Sequence, residues 1–149
     1  MTVQKATPVE IERALYRNPG RRNWNGETQL VKSIQAYLRM IGCPSFRRNV
    51  GALEVADSGG KRRMVRFGSP GQADLWFIAP GGVHGEIEAK QPGLGKRSSP
   101  TPIQQDWLDA MRKAGAIALT VTSLDELAER LEIEFRVRGL AWPKDWRIR

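Results

Sequence analysis

GQADLWFIAPGGVHGEIEAK, residues 71–90, is the stretch on which the reading of the fold turns. Its two short β-leaning runs, 73–79 and 83–90, are joined by Pro80, Gly81 and Gly82, the composition of a hairpin. Residues two apart on a strand share a face. Glu86, Glu88 and Lys90 therefore point one way, and Ile87 and Ala89 point the other way, toward a core. Folding about Gly81 sets Asp74 opposite Glu88 to within a residue. Like charges facing each other across a strand pair cost stability, so a cation must offset them. Two arrangements do so. In one, Lys90 alone neutralises a salt-bridged strand face. In the other, a divalent metal is held by Asp74, Glu88 and the main-chain oxygen of Ala89, because Mg²⁺ takes hard oxygen ligands and completes its shell with water and phosphate oxygens. Lys90 would then face the attacking water or the scissile phosphate.

The rest of the chain frames this hairpin. ETQLVKSIQAYLRMIG, 27–42, predicts a helix with Leu30, Ile34, Leu38 and Ile41 on one face and Val31 and Tyr37 beside it. Asn25 is a candidate N-cap and Gly42 a stop. Glu27 falls in the first turn, where the helix dipole favours an acid; it is also near enough in the order of elements to reach the acid cluster. Further strands are predicted over 46–56 and 61–68, with turns at 57–60, 69–72 and 80–82. A Gly/Pro/Ser loop fills 91–102. A second helix over 103–115 carries a stripe of Ile103, Trp107, Leu108 and Met111, with Thr101 as N-cap. Residues 116–122 read as a buried strand, and Ser123 with Glu126 forms a capping box for a helix over 123–131. The expected architecture is α/β, a mixed sheet with helices on both faces, in one domain spanning 1–149. Residues 1–25 form a loosely packed basic lead-in with a short helix at 9–16, and 134–149 a basic, Trp-containing tail. Trp142 and Trp146 suit base stacking, a partner contact or a plain hydrophobic anchor.

Composition narrows the function classes. The chain has 149 residues, 40% hydrophobic and 27% charged, with a net charge of +8. That excess favours a polyanion. The cations are clustered: Arg47 and Arg48, then Lys61, Arg62, Arg63 and Arg66, then Lys96 and Arg97. These are the candidate nucleic-acid phosphate contacts, although for Lys96 and Arg97 a solvated loop would look the same. The lone cysteine, Cys43, forms no disulfide and reads as a buried thiol. The single histidine, His84, reads as a polar residue at a strand start. With one of each there is no basis for a Ser/His/Asp or Cys/His site, and no phosphate-binding P-loop is present. Neither a signal core nor a membrane span is visible, so a cytoplasmic protein is expected.

The order Glu27, GQADL (71–75), EAK (88–90), and a Gln in the helix after a Ser/Pro loop resembles the PD-(D/E)XK nuclease superfamily. More narrowly it resembles the stand-alone VRR-NUC domain of phages and bacteria. The matching pieces cover about residues 26–122. The resemblance implies a restriction-endonuclease-like fold, with an α-β-β-β-α-β core. It implies Mg²⁺- or Mn²⁺-dependent hydrolysis of DNA phosphodiesters, and a homodimer acting on branched DNA such as four-way junctions. Asp74, Glu88 and Lys90 match the family's metal-binding Asp, acid and lysine. Glu27 matches its first-helix acid, and Gln104 its helix glutamine. The match departs from the pattern at Ala73, where the motif has Pro. Glu86 adds a second acid, but only Glu88 has the right spacing to Lys90. Gln105 neighbours Gln104. The alternatives are a non-catalytic basic nucleic-acid-binding protein on the same fold and an assembly factor.

Overall fold

In a computed structural model of the chain, residues 26–142 are described. The elements run α1 Gly26–Met40, β1 Ser45–Arg47, β2 Gly51–Ala56, β3 Arg62–Phe67, β4 Leu75–Ala79, β5 Val83–Ala89, α2 Pro102–Lys113, β6 Ile117–Val121 and α3 Leu124–Val137. The expected helix at 9–16, the Asn25 cap and Trp146 lie outside the described residues.

Four strands form one mixed sheet in the order β1-β4-β5-β6. β1 and β4, and β4 and β5, pair antiparallel, whereas β5 and β6 pair parallel with α2 as the crossover. The expected mixed sheet flanked by helices is therefore what the chain forms. α1 and α3 cover one face: Val31, Ile34 and Leu38 meet Leu75, Phe77, Ile87, Leu119 and Val121, with Leu127, Leu131 and Phe135 closing the layer. Cys43 is buried at its margin, and burial pushes its thiol up to about 11. α2 lies over the other face, where the apolar cluster is small: Ala73, Leu108 and Ala118, with Met111 against it.

Three expectations are corrected. First, the run 46–56 is not one strand. β1 belongs to the main sheet, and its pairing continues for one bond, Arg48 N–H to the Asp74 carbonyl at 2.8 Å. The chain then leaves, and β2 pairs with β3 in a separate two-stranded sheet. Second, the tail does not begin at 134. The apolar spacing of Leu124, Leu127, Leu131 and Phe135 continues the helix to Val137. Gly139, at φ 64°, then turns the chain so that Leu140 N–H bonds back to the Phe135 carbonyl at 2.8 Å. Trp142 packs on Phe135 with ring centroids 5.3 Å apart, so it serves as a hydrophobic anchor. Third, the α2 stripe is only partly used: Leu108 is buried and Ile103 is exposed. No helix among the described residues is long and apolar enough to cross a membrane.

The core face of β5 is read by one glycine. A Cβ on Gly85 would sit 2.1 Å from the ring of Phe77, its cross-strand partner. We expect Gly85→Ala to cost about 1–3 kcal/mol through overpacking, measured as a lower urea midpoint with an unchanged slope.

Candidate active site

The β4–β5 register pairs Leu75 with Ile87 and Trp76 with Glu86. Asp74 directly precedes β4, so the same register carries it to the Glu88–Ala89 end of β5. The sequence places this pair opposite each other to within a residue, and Asp74 lies across from that strand end. Asp74 Oδ2 accepts the Ala89 N–H at 2.9 Å, which fixes its side chain against the end of β5. Lys90, just past the strand, is tied to β6 by its own N–H to the Val121 carbonyl at 2.9 Å.

Glu86, Glu88 and Lys90 leave β5 on the α2 side, and they are 0%, 1% and 8% exposed. This is no surface strand face. Lys90 Nζ lies 2.8 Å from Glu88 Oε1. Gln104, in the first turn of α2, joins the two: its Nε2 donates to Glu88 Oε1 at 2.5 Å, and its Oε1 accepts from Lys90 Nζ at 3.1 Å. The helix start supports this orientation, because Thr101 caps α2 and its N–H donates to the same Gln104 Oε1 at 2.9 Å. Gln105 faces away and bonds Asp109 at 3.0 Å.

Among the described residues, two buried side-chain polar atoms have no partner: Ser45 Oγ and Glu88 Oε2. The second is the more costly, since it belongs to an ionisable carboxyl. Burial raises the Glu88 pKa to about 7; Asp74 adds to that rise, Lys90 opposes it, and Glu27 adds to it through space. Burial raises Asp74 as well, against the Ala89 hydrogen bond and the charges of Lys90 and Arg47. Two carboxyls held close at this cost are a donor pair that a cation would relieve. No three His, Cys, Asp or Glu side chains form a ready metal cage among the described residues. A pair of carboxylates is nonetheless what Mg²⁺ commonly takes from protein, with waters and substrate oxygens completing the shell.

Glu86 has a different role, one that the sequence reading missed. Its carboxylate accepts both arms of Arg48, one at 2.7 Å, together with His84 Nε2 at 2.7 Å and Trp107 Nε1 at 3.2 Å. Burial pushes its pKa up, but these bonds, led by Arg48, outweigh it and hold the carboxyl below the usual glutamate range. Arg48 also lies over the Trp107 ring at 5.7 Å. Arg48 is thus engaged with Glu86, and it also lines a cleft beside Asp74. Sequence shows an Arg-Arg pair but not that one member's partner stands 38 positions away. His84 is a structural donor to Glu86, stacked on Trp76 at 5.9 Å.

Two open clefts flank the cluster. The larger, about 620 Å³, is lined by Glu27, Lys90, Lys96, Arg97 and the 99–102 segment. The smaller, about 400 Å³, is lined by Arg47, Arg48, Asn49, Gln72, Asp74 and Gln104 among others. Lys96 and Arg97, in a short 3₁₀ turn, and Arg47 therefore stand beside the acids. Lys61, Arg62, Arg63 and Arg66 are carried apart from them on or beside β3. Gly71 lets the 68–72 loop reach the start of α2: its φ is +84°, and a Cβ there would meet the Ile103 carbonyl oxygen at 2.5 Å.

No protein-family model, curated protein or solved structure matches the chain.

Two outcomes follow from the electrostatics. Arg48→Ala strands a buried carboxylate, and we expect a loss of about 3–5 kcal/mol in urea unfolding, with a markedly smaller loss when Glu86→Leu is added. The second concerns pH. Glu88 loses its proton near 4.5 in the unfolded chain and near 7 in the fold. Folding therefore takes up a proton between those values, and raising pH across that window disfavours the fold. In metal-free buffer, the melting temperature of the wild type should fall relative to that of Glu88→Gln as pH rises from about 5 to 8.

Proposed function

We propose that the chain is a Mg²⁺- or Mn²⁺-dependent DNA endonuclease of the restriction-endonuclease-like, VRR-NUC type, selective for branched DNA such as four-way junctions and acting as a homodimer. The observation that carries this reading is the buried Glu88 Oε2, left without a partner opposite Asp74 while Lys90 and Gln104 occupy the other oxygen. Asp74, Glu88, the Ala89 main-chain carbonyl and, from the cleft side, Glu27 would hold the ion. Such an ion supplies Lewis acidity at the phosphate and lowers the pKa of a water nucleophile.

The chain's own residues do the remainder. Lys90 sets a positive charge where negative charge grows on the phosphoryl oxygens. Gln104 fixes both Lys90 and Glu88, so neither must reorganise during the reaction. Arg47 on one side and Lys96 and Arg97 on the other bind the flanking phosphates, and Lys61, Arg62, Arg63 and Arg66 extend that contact. Such contacts position the polymer without reading its sequence.

A second reading is favoured by the absence of a three-carboxylate cage among the described residues: a basic nucleic-acid-binding protein that keeps the fold without chemistry. Cleavage separates the two. Nicked and linear products from a four-way junction should appear with Mg²⁺ or Mn²⁺ and vanish with EDTA. Asp74→Asn and Lys90→Ala should each lower the rate by about a hundredfold or more. Equal rates for wild type and variants would remove the assignment, and tight salt-dependent binding with no cleavage would establish the second reading.

A further inference from the structure

We infer that the β2–β3 hairpin is a binding arm that seats in the major groove of duplex DNA beside the cleft; the inference rests on the DNA-binding part of the reading above and not on its chemistry.

The two strands pair over their full length, from Gly51 with Phe67 to Ala56 with Arg62, yet none of their residues is buried. A lone two-stranded hairpin is marginal in water, so this one draws its cohesion from its own cross-strand pairs. The register sorts them. Leu53 faces Val65, and the Phe67 ring lies over Gly51, all on one side. The opposite side carries Arg62, Met64 and Arg66, with Ala56 opposite Arg62, Glu54 opposite Met64 and Ala52 opposite Arg66. The small alanine opposite Arg66 leaves its guanidinium group open, whereas Arg62 leans on Glu54. Arg66 makes no ion pair among the described residues. The Arg62 contact with Glu54, at 3.3 Å, is an exposed pair that a phosphate can displace.

Dimensions match the groove. A two-stranded ribbon fits the major groove of B-DNA, which is about 12 Å wide. Arg62 and Arg66 are four residues apart on one face, so their Cα atoms lie about 13 Å apart. With the strands running along the groove, the two arginines meet phosphates spaced along it, and Met64 lies between them. The tip is closed rather than floppy: the Asp57 carboxylate accepts the Gly59 and Lys61 N–H groups, both at 2.9 Å. The root is at the site, since Asn49 and Val50 before the ribbon and Gln72 after it line the cleft that holds Asp74. The basic face carries no aromatic ring on which a single-stranded base would stack, so a duplex suits it better than a single strand.

The test is fluorescence anisotropy of the full chain in EDTA, with a short duplex and the single strand of the same sequence. Arg62→Ala/Arg66→Ala should weaken duplex binding about tenfold and lower the salt slope by about 2, with much less effect on the single strand. Methylating guanine N7, which blocks the major groove, should weaken the wild type severalfold and leave the doubly substituted chain unaffected. Equal losses on both nucleic acids, or wild-type binding indifferent to N7 methylation, would overturn the arm. So would a changed sedimentation mass of the variant with duplex binding intact, which would assign the ribbon to a second copy of the chain. Because no cleavage is read, a wild type that binds as expected but never cuts leaves the arm standing while the nuclease reading falls.

Discussion

Glu86 and Glu88 leave the same face of β5, and neither reaches water. A buried carboxylate without compensation is among the most expensive groups a fold can hold, so the surroundings of β5 are shaped by the need to answer these two. Glu86 is answered completely, by donors from β5 itself, from the residue after β1 and from α2. Those donors fix where α2 lies, because that helix contributes only Leu108 to the buried apolar residues. Its seat on the sheet is thus set largely by polar contacts. Trp107 holds it at Glu86, and Gln104, one turn earlier, is thereby delivered to Glu88.

The two faces of the sheet divide the work. Against α1 and α3 the strands bury Leu, Ile, Val and Phe in a continuous layer. That layer supplies the burial that stabilises a domain of this length. Against α2 the same strands present acids, a lysine and small residues. A half-answered carboxylate such as Glu88 detracts from stability, and it persists only where the opposite face supplies the deficit. Glu86 and Glu88 are separated by a single residue and take opposite states, one held ionised and one pushed toward its protonated form. The difference comes from Arg48 donating two bonds to the first, whereas the second must share Lys90 with Gln104 and face Asp74.

Local pattern made several of these features legible in the sequence. α1 follows from the spacing of Ile34, Leu38 and Ile41, β6 from an unbroken apolar run, the α2 cap from Thr101, and the α3 start from Ser123 and Glu126 at capping-box spacing. The β4–β5 register follows from a Gly-Gly turn and a period of two. The features that escaped depend on distant partners. Nothing near Arg48 announces that it pairs with Glu86, and nothing in FRRNVGALEVA marks where one sheet ends and another begins. The strand break has a tertiary cause: after bonding the Asp74 carbonyl, residue 48 has no further strand to follow. The helical end at Val137 was legible in the Leu131–Phe135 spacing, but the basic residues around it masked that signal.

The net charge of +8 takes its meaning from where the acids lie. α3 carries Asp125, Glu126, Glu129, Glu132 and Glu134 against Arg130 and Arg136, so it is net acidic. Its arginines are spent on i to i+4 pairs with Glu126 and Glu132. Among the described residues the basic clusters lie on other elements: Arg47, Lys90, Lys96 and Arg97 at the clefts by the α2 N-terminus, and Arg62, Arg63 and Arg66 on the ribbon. The larger share of the +8 belongs to residues 1–25 and 143–149, outside the described part. α3 and α2 cover opposite faces of the sheet. Among the described residues the acids of α3 and the cations of the clefts are thus kept on opposite sides of the sheet. For the polyanion proposed above, the cations beside the Asp74–Glu88 pair are the described charges placed to attract it, over about a Debye length.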